Sequence, residues 1–194
     1  MNTESPSYKV IRGALPKEYV DLVIEKIKEN DLIEPHPFNN FQGVKIDYAI
    51  IDPQNKIQEI LIDAEKYFRD NYVTEGREMV LSRSYGTIMN YGASLEHHRD
   101  LYNSGREHDF SYGDALVCNI YLSDCEGGEL VFPDIDVVLK LNAGDVVLFP
   151  GYILTHGVNM VQSGGSRITI LNHFSLLSEE DTKNIDSIAE KLKK

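Results

Sequence analysis

Two kinds of hydrophobic spacing divide the chain. Up to about residue 78, apolar side chains recur every three or four positions, as on one face of a helix. Tyr19, Val23 and Ile27 form one such stripe, in a helix predicted from Pro16, in its first turn, to about Asn30. The Pro/Asn-rich stretch that follows, NDLIEPHPFNNFQG, reads as a loop. Asp52-Pro53 is a suitable N-cap and first-turn pair for a second helix carrying Ile57, Ile60, Leu61, Ala64 and Phe68. From Met79 the pattern changes to short apolar runs: MVLSRSY, GTIMNY, ALVCNIYL, ELVF, VVLKL, DVVLFP, GVNMVQ and RITILNHFSL. Turn residues separate most of them, among them Tyr91-Gly92, Gly127-Gly128, Asn142-Ala143-Gly144, Pro150-Gly151 and Ser163-Gly164-Gly165. About eight short strands in about a hundred residues predict a sandwich or jelly roll. Ser178 can cap a last, short helix with Ile185, Ile188, Ala189 and Leu192 on one face. The expected fold is therefore α+β and mainly β. Residues 1–78 are mostly helical support packed on a β core at 79–176, and 177–194 form a C-terminal helix.

Composition fits one domain of 194 residues, 42% hydrophobic and 26% charged, able to bury a core. The net charge of −12 argues against a protein that holds nucleic acid by neutralising phosphates. No apolar run approaches the roughly 20 residues of a membrane span, and MNTESPSYKV has no apolar signal-peptide core. No membrane partner is expected. Cys118 and Cys125 make no disulfide framework and read as free thiols in a reducing compartment, so a cytoplasmic location is expected.

Candidate chemistry lies in the β part. His98 and Asp100 are two residues apart, and in an extended segment such residues point to the same side and can reach one ion. Alone this is a weak signal, since His-x-acid arises by chance about once among six histidines. His156 follows an apolar strand and a tight turn, and can supply a third ligand from a distant part of the same core. Two His and one carboxylate with open positions is the facial arrangement of non-haem Fe(II) oxygenases. Arg167 follows 11 residues later, where a hairpin through Ser163-Gly164-Gly165 would bring it beside the strand after His156. An Arg in an apolar strand is costly to bury without an anion, and its planar fork suits a carboxylate. His97 should face away from His98, His108 and Asp109 read as solvated surface, and His173 either lines the cavity or is a core histidine.

These residues resemble the prolyl 4-hydroxylase-like branch of the Fe(II)/2-oxoglutarate-dependent dioxygenases. Tyr91-Gly92 before Leu95-Glu96-His97-His98-Arg99-Asp100 resembles that family's lead into H-x-D. Asn119-Ile120-Tyr121-Leu122-Ser123-Asp124 and Gly127-Gly128-Glu129-Leu130-Val131-Phe132-Pro133 resemble its YLN/SD…GGELxFP segment. Lys140, Gly144-Asp145, Leu148-Phe149-Pro150, His156-Gly157-Val158 and Arg167 complete the order. The resemblance implies a double-stranded β-helix (jelly roll/cupin-like) core, with iron on His98, Asp100 and His156. It also implies Arg167 on the far carboxylate of 2-oxoglutarate, and Tyr91 and Tyr121 as hydroxyl donors to that co-substrate. The implied cofactors are Fe(II), 2-oxoglutarate and O2, with ascorbate as an optional addition. Halogenating relatives lack the carboxylate that Asp100 supplies. The AlkB-like nucleic-acid demethylases carry a second arginine six residues after the first, where this chain has His173.

The implied activity is hydroxylation of an unactivated C–H, coupled to 2-oxoglutarate decarboxylation to succinate and CO2. The branch points to a prolyl 4-hydroxylase-like enzyme acting on a peptide or protein side chain. A hydroxylase of a free amino acid or small molecule is one alternative. A non-catalytic cupin-like metal-binding or sensing module is another. Substrate recognition is expected from the segment Asp31–Asp47 and from the loop Tyr102–Asp114, with Arg106, as a lid over the site. Oligomeric state is not readable.

Overall fold

A computed structural model describes residues 8–73, 78–100 and 114–177. The predicted C-terminal helix, beyond Leu177, and the expected lid with Arg106, His108 and Asp109 lie outside the described residues.

Helix α1 (Lys17–Glu29) begins directly after Pro16 and buries Tyr19, Val23 and Ile27, the predicted stripe, together with Val20. The second helix differs from expectation at its start. A short turn of helix, α2 (Tyr48–Ile51), ends at Asp52, and α3 (Lys56–Tyr72) begins after Asn55 in the left-handed conformation. Asp52 still caps α3, but from a distance. Its carboxylate accepts the Ile57 and Gln58 backbone N–H groups at 3.0 and 2.9 Å and the Tyr19 hydroxyl. One buried side chain thus ties α1 to the start of α3. Burial, with Asp52 alongside, pushes the Tyr19 phenol up to about 12.

The strands run β1 (Lys9–Ile11), β2 (Ile33–Pro35), β3 (Phe41–Val44), β4 (Met79–Met89), β5 (Leu95–His98), β6 (Asp114–Tyr121), β7 (Glu126–Gly127), β8 (Leu130–Phe132), β9 (Val137–Leu139), β10 (Val146–Phe149), β11 (His156–Val158), β12 (Val161–Ser163) and β13 (Arg167–Leu176). They form a seven-stranded sheet in the order β1-β10-β6-β13-β4-β3-β2, a four-stranded sheet β5-β11-β8-β9, and the pair β12-β7. The two main sheets are those of a double-stranded β-helix, mainly β with helices on one side, as predicted.

Several boundaries differ from the sequence reading. MVLSRSY and GTIMNY are one continuous strand, β4. GVNMVQ splits between β11 and β12, which lie in different sheets. The stretch read as a loop after α1 contains the hairpin β2–β3, whose second strand pairs with the β4 edge from Phe41↔Met89 to Val44↔Gly86. Its Pro and Asn residues hide a strand made by backbone pairing at a sheet edge, where a missing N–H is tolerated.

Alternation along the central strands assigns each face. Leu116, Cys118 and Ile120 of β6, with Val146 and Leu148 of β10, pack against Val23, Ile27, Leu61 and Phe68 of the helices. Val117 and Tyr121 of β6, with Val147 and Phe149 of β10, turn the other way, onto Leu130, Phe132 and Leu154. The space between the two sheets is therefore open to side chains at odd positions of β6. Both cysteines are free, and among the described residues no helix is long and apolar enough to cross a membrane.

Candidate active site

Strands β5 and β11 pair antiparallel with His98 directly opposite His156, so two distant histidines meet through backbone register. Their rings lie 4.4 Å apart between centroids. Asp100, just past the end of β5, is held by its backbone N–H donating to the Gly151 carbonyl at 2.9 Å. Each carboxylate oxygen faces one imidazole: Oδ1 lies 3.5 Å from His98 Nε2, and Oδ2 lies 3.5 Å from His156 Nε2. The close approach depends on two glycines. A Cβ on Gly151 would fall 2.3 Å from Asp100 Oδ2, and one on Gly157 would fall 2.9 Å from the Leu95 carbonyl oxygen.

Both rings are oriented by their own strands. His98 Nδ1 lies 2.9 Å from the Glu96 carbonyl oxygen, and His156 Nδ1 lies 3.0 Å from that of Leu154. A carbonyl only accepts, so Nδ1 carries the proton in each ring and Nε2 presents a lone pair to the carboxylate. Three electron-rich atoms converging in this way repel one another unless a cation lies between them. Among the described residues, this is the one His/Cys/Asp/Glu cluster with metal-holding geometry. When Nε2 of His98 is protonated as well it donates to Asp100, which raises the His98 pKa, while burial lowers that of His156. Burial pushes the Asp100 carboxyl up, but His98, His156 and His173 together hold it below the usual range.

The neighbouring residues face outward. His97 is exposed and lies against Gly157, on the opposite side of β5 from His98 as expected. Arg99 donates to Thr155 Oγ1 at 3.0 Å and to Asp134 Oδ2 at 2.9 Å, and Asp134 also accepts the Thr155 backbone N–H at 2.9 Å. This network ties the residue beside Asp100 to the residue beside His156. The Thr155 N–H and hydroxyl, with Arg99, hold the Asp134 carboxyl down at about 2.

The triad lies in a cavity of about 200 Å³ between the sheets. Arg167, at the start of β13, lines the same cavity and is only 3% exposed. Its Nη2 donates to Tyr121 Oη at 2.8 Å, and Nη1 has only long contacts to Met89 Sδ (3.6 Å) and Thr169 Oγ1 (3.4 Å). Its Nε has no partner, and no carboxylate pairs with it among the described residues. A buried guanidinium in that state is a receptor for an anion. The donor set thus fits both groups that the resemblance implies: a divalent metal at the triad and a carboxylate at Arg167.

Tyr121 is buried beside Arg167, as its place in the motif suggests. Tyr91 requires a correction: it is 75% exposed and does not line the cavity. It sits on the turn after β4, whose pairing with β13 ends at Met89, so its side chain is carried beyond the sandwich. His173 lines the cavity, and burial lowers its pKa. The sequence reading did not single out His36, Phe38 and Phe41 individually. They line the cavity from the β2–β3 hairpin, with His36 and Phe41 stacked at 5.4 Å. It also passed over Thr87, Asn119 and Leu171, although a polar Asn inside the apolar run ALVCNIYL was a visible signal.

Comparison with known proteins agrees with this geometry. The chain resembles the viral collagen prolyl hydroxylase of Paramecium Bursaria Chlorella virus-1 (TM-score 0.68, 16% identity), over 92% of this chain and 99% of that one. It resembles HygX of Streptomyces hygroscopicus, solved with nickel and 2-oxoglutarate (0.62, 16%), over 88% and 83%. It also resembles a Trichoplax adhaerens prolyl hydroxylase solved with a hypoxia inducible factor peptide (0.63, 15%), over 91% and 86%. At these identities the likeness is one of fold. No curated protein sequence matches the chain. The sequence model of the 2OG-Fe(II) oxygenase superfamily matches residues 86–175, from Gly86 in β4 to Ser175 in β13, so the segment that carries the triad and Arg167 is similar to oxidoreductases that use Fe(II), 2-oxoglutarate and O2.

Proposed function

We propose that the protein hydroxylates an unactivated C–H on a polypeptide side chain, as prolyl 4-hydroxylases do, with His98, Asp100 and His156 holding Fe(II) and Arg167 holding 2-oxoglutarate. The observation that carries the site assignment is the pairing, in one cavity, of three convergent metal-ligand atoms with a buried arginine that lacks an anion. Bound there, Fe(II) and 2-oxoglutarate supply an O2-dependent oxidation in which the 2-oxo acid becomes succinate and CO2 and a C–H becomes C–OH. The chain's own residues do the positioning. Glu96 and Leu154 carbonyls hold the two Nε2 atoms inward, Asp100 contributes negative charge, and Arg167, oriented by Tyr121 Oη, anchors the far carboxylate. Phe149, against the His156 ring at 4.8 Å, and Val117 keep water from the metal side.

A polypeptide suits a cavity with an adjoining groove. His36, Phe38, Phe41 and Leu95 line the cavity, and Phe38, Phe41 and Leu95 also line an adjoining groove with Asn40, Ser94 and Glu96. One side chain can enter the cavity while the flanking chain lies in the groove. Among the structural neighbours, one holds a peptide and another was solved with hygromycin B. The deciding experiment is succinate release screened over proline-containing peptides, free amino acids and small polar molecules. Peptide-stimulated release with hydroxylated peptide as product is expected. Stimulation by small molecules alone would overturn the polypeptide reading. A protein that binds Fe(II) and 2-oxoglutarate yet never releases succinate would be a sensing module instead.

A further inference from the structure

The cavity floor contains a polar group that neither the metal site nor the arginine explains. Asn119 is 2% exposed and lies in the middle of β6. Its cross-strand neighbours are Val147 of β10 and Leu171 of β13, and the residues two before and two after it on the same face are Val117 and Tyr121. In such surroundings a Leu or Val would pack without cost, whereas an unpaired amide carries a desolvation penalty. The amide is close to unpaired. Its Oδ1 has no partner, and Nδ2 reaches Tyr121 Oη only at 3.5 Å, the limit of a hydrogen bond. Along β6, Val117 lies beside Asp100 and Gly151, and Tyr121 lies beside Arg167. Asn119 is therefore between the triad and the arginine, facing the cavity.

We propose that the Asn119 side-chain amide is a positioning group for the co-substrate, donating an N–H to the carboxylate of 2-oxoglutarate held at Arg167. The inference rests on the assignment of Arg167 to that carboxylate. Tyr121 Oη already accepts from Arg167 Nη2, so its own proton must go elsewhere. Turning the Asn119 amide by a half-rotation about its last bond brings Oδ1 towards Tyr121 Oη, where it accepts that proton, and aims Nδ2 into the cavity. A carboxylate only accepts hydrogen bonds, so its arrival selects this orientation. Arg167, Tyr121 and Asn119 are then all satisfied by one anion. Without the anion, Arg167 Nε and Asn119 Oδ1 are the two buried side-chain polar atoms left unpartnered among the described residues.

The test is an anaerobic titration of 2-oxoglutarate into the Fe(II)-loaded protein, read by its visible charge-transfer band and by the shift in Tm, for wild type and for Asn119→Leu, Asn119→Asp and Arg167→Ala. For Asn119→Leu, a Kd raised about 10- to 100-fold is expected, the worth of one hydrogen bond to an ionised group. Its ligand-free Tm should be equal to or above wild type, because an unpaired buried amide has been replaced by an apolar side chain. Asn119→Asp should bind more weakly still, because a second carboxylate competes for Arg167. Fe(II) affinity should be unchanged in Asn119→Leu. Wild-type affinity for 2-oxoglutarate in Asn119→Leu, with or without a lowered ligand-free Tm, overturns the proposal and leaves the site assignment intact if Arg167→Ala binds weakly. If Arg167→Ala also binds normally, the site assignment falls, and the proposal falls with it.

Discussion

At the scale of single residues, the informative groups are those whose chemistry is incomplete within the protein. Arg167 carries a full charge inside the sandwich with one unpartnered nitrogen, and the triad brings two lone pairs up to a carboxylate. A cation at the triad and a carboxylate at Arg167 would complete them. Arg167→Ala should weaken 2-oxoglutarate by about 2–5 kcal/mol, by analogy with buried charge pairs, while Fe(II) affinity changes little. The 2-oxoglutarate dependence of succinate formation, set against a separate Fe(II) titration, checks this. His156 and Arg167 were legible as polar types beside or within apolar strands, and His98 and Asp100, in the polar run LEHHRD, through their spacing and their place in the motif order. Tyr91 was misassigned because its motif position does not show where the strand pairing stops. The aromatic residues that line the cavity from the hairpin were not individually legible, since Phe38 and Phe41 read as ordinary loop hydrophobes until the hairpin is folded against β4.

At the scale of elements, the site is a consequence of register. The pairing of β5 with β11 sets His98 against His156, and the absence of a side chain on Gly157 allows that approach. In Gly157→Ala the added methyl would lie 2.5 Å from His97 Cδ2 and 2.9 Å from the Leu95 carbonyl oxygen. The ring can swing away, but the backbone must move. A loss of about 1–3 kcal/mol of stability is expected from such overpacking, with weaker Fe(II) binding, measured by denaturant unfolding and metal titration. On the helical side, Asp52→Ala would remove the acceptor for two backbone N–H groups and the Tyr19 hydroxyl. It should cost roughly 2–3 kcal/mol in the same unfolding assay without altering the metal site. Both helices were legible from their apolar stripes, but the start of α3 was not. Asn55 adopts a left-handed conformation and Asp52 caps from outside the helix, neither of which local spacing shows. Strands β1, β2 and β3 were missed because β1 and β3 are made by pairing with the distant β10 and β4, and β2 forms only as the hairpin partner of β3.

At the scale of the whole molecule, the N-terminal segment is fastened to the core at Asp145. Its carboxylate accepts the Gly13 and Asn142 backbone N–H groups at 2.9 Å each and pairs with Arg12 at 2.6 Å. Burial raises its pKa, but the two N–H groups and Arg12 outweigh burial and hold it below the usual carboxylate range. A carboxyl with a lowered folded-state pKa contributes stability that is fully present above its unfolded value, about 4, and is lost as the pH falls through the folded value. Acid titration of Tm should therefore show a loss below about pH 4 that is shallower in Asp145→Asn, whose stability at neutral pH is lower. Equal acid slopes in the two proteins would remove Asp145 from that role. The central claim is that His98, Asp100 and His156 hold Fe(II) where 2-oxoglutarate can join it, and the most direct measurement is visible absorption during anaerobic addition of Fe(II) with 2-oxoglutarate present. A weak charge-transfer band saturating at one iron per chain is expected in the wild type, and none in Asp100→Ala or His156→Ala proteins that remain folded by circular dichroism. A native band and native iron stoichiometry in folded His156→Ala protein would contradict the assignment.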